Sequence, residues 1–383
     1  MPTARSAAPP VLGQRALNRA LLARQHLLER VQATAAGTIE HLVGMQAQAP
    51  NAPYVGLWTR LSAFTPVQLG SLVTDRSAVR APLMRDTLHL VTARDFVALR
   101  PIFAPLLARR FRASPFFRNL AGLDLDEVAR VARGLLEARP RTGSELGRLL
   151  AERWPGRDPL SLATVVRPRL ALVQVPPRGL WGQSGAPTWA LAEDWLGQDV
   201  DTESAPDRLV LRYLGAFGPA TVADIQNWSG LNGIRAVVER LQSELLTFRD
   251  ERGRALFDLP GAPRPDPGVP APPRYLPEYD NLLLGHHDRT RVMDVEHSTP
   301  LFPGNGGVLG SVLLDGRFAG GWRIVRGSGA RANVASRDVR LLVDLLVEPV
   351  ASARQALTDE GQDLLGFAAP EAVERDVVIG WPG

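Results

Sequence analysis

The chain is 383 residues long, 45% apolar and 22% charged, which is enough for several packed modules. It has neither cysteine nor lysine, so disulfides, thiolate metal sites, cysteine nucleophiles and lysine Schiff bases are excluded, and all 44 basic residues are arginine. The net charge of +4 hides an asymmetry: residues 1–118 carry 15 arginines against 5 acids, so the first third predicts a face for a polyanion. No apolar run approaches the roughly 18 residues needed to span a bilayer, and none follows Met1–Arg5, so a soluble cytoplasmic protein is expected.

Leu17, Leu21, Leu28 and Val31 mark a first helix. Thr38 reads as the cap of a second, ending near Gln48, and Leu57, Leu61, Leu69 and Leu72 carry further helices. Val79 to Val91 reads as extended, with Arg85, Thr87 and His89 alternating and therefore sharing one face, where they either line the polyanion-facing surface near Gln46 or bond internally beneath it. Arg109, Arg110 and Arg112 have the character of phosphate contacts, while Phe111, Phe116 and Phe117 read as core.

Residues 125–191 begin with a helix through Val128, Val131 and Leu135. Thr142-Gly143-Ser144-Glu145 is a capping box opening a second helix, and a third is predicted from Leu160 to Leu172. A Pro176–Gly179 turn then precedes a strand at Thr188–Leu191. The same order returns at 206–259. A helix through Leu209, Val210, Tyr213 and Leu214 comes first, then a capping box at Thr221–Asp224, a turn at Ser229–Asn232 and a third helix through Ile234 and Val238. Two strands follow, joined by Asp250-Glu251-Arg252-Gly253. Helix, helix, turn, helix and hairpin is the order of a winged helix. Three such modules are predicted, at 1–92, 93–200 and 201–259.

The proline-rich stretch 260–277 predicts a linker or an extended crossing segment. Residues 278–383 change character: Leu282–Leu284, Val308–Leu314, Phe318–Val325, Leu341–Val347 and Val377–Trp381 read as strands, with Asp315-Gly316 as a hairpin turn and Ala351–Phe367 as a helix. The expected architecture is mainly α with β wings, closed by a β-rich, barrel-like domain.

Three segments carry a family resemblance: Val43-Gly44-Met45-Gln46-Ala47-Gln48, Leu83 to Val91, and Asp280 to Arg289. Together they resemble the bulky-lesion DNA glycosylases of the AlkZ and YcaQ group, over nearly the whole chain. Gln46 and Gln48, flanking an aliphatic residue, resemble the AlkZ branch; the YcaQ branch carries Asp where this chain has Gln48. The resemblance implies a C-shaped clamp on double-stranded DNA bearing bulky adducts or crosslinks, and self-resistance to a DNA-alkylating natural product. It also implies that Gln46 and Gln48 hold the hydrolytic water, with no cofactor, in a monomer.

The chemistry agrees with the resemblance. An N7-alkylated guanine is already cationic and leaves as a neutral base without a general acid. Two neutral amides then have only to orient water. Gln-x-Gln alone more often describes two surface caps at the end of a helix, and its weight comes from the other matching segments. The cluster His286-His287-Asp288-Arg289 is poor as a metal site, because adjacent histidines diverge and no third ligand is spaced to join them. It suits either insertion at the DNA groove or a hydrogen-bonded corner holding the last domain. A non-catalytic winged-helix DNA-binding protein is the competing reading.

Overall fold

In a computed structural model the described residues are 8–297, 309–326 and 338–382, and they form a mixed helix and sheet structure. Three sheets organise it. In the first, β2 (Met45–Gln46), β3 (Ala78–Pro82), β4 (Leu88–Thr92), β5 (Arg141–Thr142), β6 (Leu172–Val175) and β7 (Thr188–Leu191) take the order β2-β4-β3-β6-β7-β5. Hairpins predicted in separate modules are thus joined through the single register pair Arg80↔Gln174 of β3 and β6. The second sheet pairs β8 (Leu246–Asp250) with β9 (Ala255–Asp258), and adds β1 (Val11–Leu12) in parallel from the other end of the chain.

The third sheet, β10 to β14, comprises Arg274–Leu276, Gly310–Leu314, Arg317–Arg326, Asp338–Leu345 and Glu374–Gly380 in chain order. It is open, not barrel-like: β10 and β14 stand at opposite edges, and the helix Ala351–Ala368 packs its buried Leu357, Leu364 and Leu365 into the core it shares with Val339, Leu341 and Val343. A strand order that never returns to its start leaves two edges, so nothing closes. Asp315-Gly316 makes the expected hairpin turn, with both residues in the left-handed region (φ 44 and 76°).

Most predicted helices form where their caps stand. Thr142 and Thr221 each accept the N3 amide while Glu145 and Asp224 reach back to the cap, as the capping boxes require. Thr38 is different: it is buried inside the helix Ala35–His41, and Thr34 is the cap, accepting from Gly37 N–H at 3.0 Å. The first helix ends at Arg24, short of Leu28 and Val31. The expected helix 160–172 is two short ones, Pro159–Thr164 and Val166–Arg169, and Leu172 already belongs to β6. Leu282–Leu284 is helical, because the Asp280 carboxylate caps Asn281–Leu284 by accepting from Leu282 N–H.

The proline-rich stretch is a crossing segment laid against the first helix. Arg15, Arg19 and Arg24 donate to the carbonyls of Pro267, Val269 and Pro263, satisfying a backbone that proline deprives of donors. Its end, Arg274–Leu276, is β10. One apolar core runs from Leu21 through Phe103, Tyr213, Trp228 and Leu282 to Phe318. A second joins the helices at 35–74 to the last sheet, and a third lies within 111–191. Among the described residues no helix is long and apolar enough to cross a membrane.

Candidate active site

After the helix Ala35–His41 the chain reverses through Val43 and Gly44, both with positive φ (56 and 90°). A Cβ on Gly44 would lie 2.7 Å from Val91 Cγ1, so the turn and its close approach to β4 both require glycine. The chain leaves this turn as β2, an edge strand, with Gln46 opposite His89 and the Ala47 amide donating to Leu88 O at 2.8 Å. Gln46 therefore stands on a strand, not at the end of a helix. It is 7% exposed, which makes it no surface cap; Gln48, two residues on in a bend, is exposed.

Arg85 fixes the first amide. Its backbone is left-handed (φ 58°), as is that of Asp86 (φ 62°), so the chain between β3 and β4 turns sharply instead of continuing extended. The expected alternation of Arg85, Thr87 and His89 on one strand face is broken by this turn. Arg85 nonetheless swings its guanidinium onto Gln46 Oε1 at 2.6 Å, Trp228 O at 2.5 Å and Asn281 Oδ1 at 3.2 Å. All three acceptors are neutral. Burial, with Arg289 as a second positive charge, lowers the Arg85 pKa to about 10, so it stays cationic at neutral pH. Because a guanidinium can only donate, the Gln46 carbonyl must face it, and the amide orientation is set.

Around this contact several segments converge. Asn281 Nδ2 donates to Gly44 O at 3.4 Å. Asp280 beside it takes a two-pronged, fully buried pair from Arg60 at 2.9 Å on each oxygen. Gly230, left-handed at φ 76°, passes so near that a Cβ there would lie 3.2 Å from Arg85 Cα. Arg80, also buried, donates to Ala47 O at 2.7 Å and to Gln174 at 2.7 Å, so the peptide between the two glutamines is held from behind. Gln48 has a longer contact, its Oε1 accepting from Leu88 N–H at 3.5 Å.

His89 is fully buried. Its Nδ1–H donates to Thr87 O at 3.0 Å, leaving Nε2 as a lone-pair acceptor without a hydrogen-bond partner. Burial first, then the Arg85 charge, pushes its pKa to about 3, so the ring is neutral. Thr87 uses its hydroxyl to close the turn onto Met84 O at 3.1 Å.

The cluster 286–289 divides. His286 is buried, bonded to Phe217 O at 3.0 Å beside the rings of Tyr213 and Phe217, and its pKa is well depressed by burial. Asp288 receives Arg254 at 2.6 Å and Arg252 at 3.3 Å from the β8–β9 hairpin. These two side chains are bonded within the protein. His287 is exposed, and Arg289 is half-buried near enough to Arg85 to lower its pKa. Arg110 and Arg112 are exposed at the end of the helix Ala93–Arg112, whereas Arg109 is half-buried and braces the Gly230 turn through its carbonyl at 2.8 Å. Sequence reasoning missed Arg80, Arg60, Asp280 and Asn281 as site-building residues. The last two lay within a recognised segment, but no local signal marks a residue whose partners are 33 to 237 positions away.

A buried amide aimed by a guanidinium, on the edge strand of a sheet with arginines around it, has the hydrogen-bonding capacity to orient a small polar molecule such as water. The family model described as DNA glycosylase AlkZ-like matches residues 39–367, and the chain belongs to this family: it is a DNA glycosylase. It is 28% identical over 324 residues to an interstrand DNA cross-link repair glycosylase of Streptomyces sahachiroi, covering 79% of this chain and 85% of the relative. The solved structure of the Streptomyces sahachiroi DNA glycosylase AlkZ shares the fold, with a TM-score of 0.74 over 97% of this chain and 100% of that one, at 23% identity.

Proposed function

We propose that the enzyme hydrolyses the N-glycosidic bond of bulky N7-alkylpurines, including those within interstrand crosslinks, and so protects its host from a DNA-alkylating natural product. The observation that carries this is the pinned amide of Gln46. Arg85 occupies one lone pair of Oε1, and the second remains to accept from a water. Gln48, on the same edge of the sheet, supplies the other amide. Neither is a base of useful strength, so the reading fits a base that is already positively charged and leaves without protonation. The cation of Arg85 works against positive charge on the sugar, so in this reading its part is to orient the Gln46 amide. Arg110, Arg112, His287 and Arg289 meet the phosphates flanking the lesion. No metal or cofactor enters the scheme.

The repeated helix–helix–helix–hairpin order supports three winged-helix modules at 1–92, 93–200 and 201–259, with the proline-rich stretch 260–277 crossing to a β-rich domain at 278–383 and giving it its first strand, Arg274–Leu276, the whole arranged as a C-shaped clamp. A bulky or crosslinked adduct cannot enter a deep closed pocket, and an edge-strand site suits it. The relative named as a crosslink repair glycosylase favours the same substrate. A monomer acting on double-stranded DNA in the cytoplasm completes the reading.

The test is an oligonucleotide duplex carrying one N7-alkylguanine, incubated with protein and treated with alkali to break abasic sites. Wild type should yield strand breaks, and Gln46→Ala with Gln48→Ala should lose on the order of a hundredfold in rate, the size expected when a reactant loses its positioning. Breaks no more frequent than in buffer, across several adducts, sink the substrate assignment. Undiminished cutting by the double variant sinks the role of the glutamines.

A further inference from the structure

Gln46 and Asn281 line one crevice of about 10 Å³, close to the least that admits a single water. Every residue of its wall is buried except Tyr279, which is half-buried, so the crevice meets the surface beside Tyr279. Three of the polar side chains in that wall are engaged elsewhere: Arg60 and Asp280 with each other, and the Gln25 amide as donor to Ala216 O at 2.7 Å. The other two are clamped side by side. A single nitrogen of the Arg85 guanidinium, Nη2, donates to Gln46 Oε1 at 2.6 Å and to Asn281 Oδ1 at 3.2 Å. Because a guanidinium only donates, both carbonyls must turn toward it. Asn281 then gives one amide hydrogen to Gly44 O, and these bonds leave Asn281 a second N–H and Gln46 a second carbonyl lone pair.

We propose that the hydrolytic water occupies this crevice, donating to Gln46 Oε1 and accepting from Asn281 Nδ2. Asn281 is then a further catalytic residue, and the crevice is a filter that admits water and no larger nucleophile. The inference rests on the reading that Gln46 holds the water for an alkylpurine. One lone pair of the water takes the Asn281 hydrogen, and the other faces C1′ of the deoxyribose at the mouth. The C1′–N9 bond breaks, its electron pair goes to the cationic purine, and the base leaves neutral. The water oxygen bonds to C1′ and releases its proton to solvent, since neither amide is a base that would keep it. Two fixed hydrogen bonds hold the nucleophile in line before the sugar develops charge.

Methanol tests both halves of the proposal. Full-length wild type, Asn281→Ala, Asn281→Ser and Gln46→Ala would be run in single turnover on duplexes carrying N7-methylguanine or N7-benzylguanine, with and without methanol. Rates are taken per molecule able to bind the lesion duplex. Attack by water leaves an abasic sugar and attack by methanol a methyl deoxyriboside, which mass spectrometry of the strand distinguishes. Wild type should form the methyl glycoside roughly fivefold or more below methanol's share of the solvent molecules, as a water-sized site requires. Both Asn281 variants should lose roughly tenfold or more in maximal rate while their Kd for the lesion duplex stays within about twofold. Their shorter side chains make room for the methyl group, so their methyl glycoside share should rise roughly fivefold over wild type. A wild-type share that simply follows methanol's abundance overturns the proposal, even where both variants fail to fold. Undiminished rates in the Asn281 variants, or slower excision with an unchanged methanol share, overturn it as well. A full rate in Gln46→Ala, or no excision of either adduct by wild type, is a different result: it removes the reading beneath.

Discussion

His89 carries a cost that its position makes unavoidable. The imidazole has no exposed surface, one nitrogen donates to Thr87 O, and Arg85 lies close enough to oppose any charge on it. Its folded pKa of about 3 lies below the ordinary 6.5, so between these values the unfolded chain binds a proton that the folded one refuses. Stability is therefore full above pH 6.5 and lost as pH falls toward 3. At pH 5 this group alone should have cost about 2 kcal/mol. Urea unfolding at pH 7 and pH 5 should show His89→Gln losing about that much less than wild type between the two; an identical loss would mean that His89 is not held neutral. His286, depressed by burial and by Arg291 and only partly relieved by Asp224 and Asp288, remains to steepen the slope in both proteins.

Elements are placed here by small residues as much as by apolar stripes. The helix Gly143–Arg153 packs against Pro159–Thr164 so tightly that a Cβ on Gly147 would fall 2.3 Å from Pro159 O. Neither a carbonyl nor a proline ring yields cheaply, so Gly147→Ala should destabilise by about 1–3 kcal/mol, the usual penalty of overpacking. Gly134→Ala, on the preceding helix, has open space around its Cβ and should be neutral or slightly stabilising through helix propensity. A thermal melt of the two variants reads the contrast directly, and equal melting temperatures would refute the packing argument. Thr142 and Thr221 were readable because a capping box is complete within four residues. Leu282–Leu284 was not, since three apolar residues fit either a strand or a buried turn of helix and the deciding group, the Asp280 carboxylate, acts through a cap.

The whole molecule is tied by arginines that reach across the chain. Arg60 and Asp280, 220 positions apart and at most 3% exposed, make a pair in which both charges have left water. Such a pair is weak evidence of net stability, but breaking it strands a buried guanidinium. Asp280→Ala should cost about 3–5 kcal/mol in chemical denaturation. Asp344→Ala, whose partner Arg323 is 60% exposed, should cost under about 1 kcal/mol. Comparable losses at the two sites would show that burial does not govern these pairs. Arg24–Asp258 is built in the same way, with neither side chain exposed, and holds the first helix to the β8–β9 hairpin. Much of the arginine excess in the first third is thus spent inside the molecule, although Arg110 and Arg112 stay on the surface.

By itself the sequence determined the local grammar: the helix order, the hairpin turn at Asp315-Gly316 and the capping boxes. These depend on neighbours within a few residues, where periodicity and caps act. Only the tertiary structure decided that Gln46 is a buried strand residue aimed by Arg85, that Arg80 and Asn281 belong to its surroundings, that His286 and Asp288 are turned inward, and that the last sheet stays open. The physical reason is common to all of them. Each turns on hydrogen bonds, strand pairings or positive-φ turns whose partners or consequences lie far along the chain. Composition and spacing do not carry that information, while burial makes those contacts obligatory once the chain has folded.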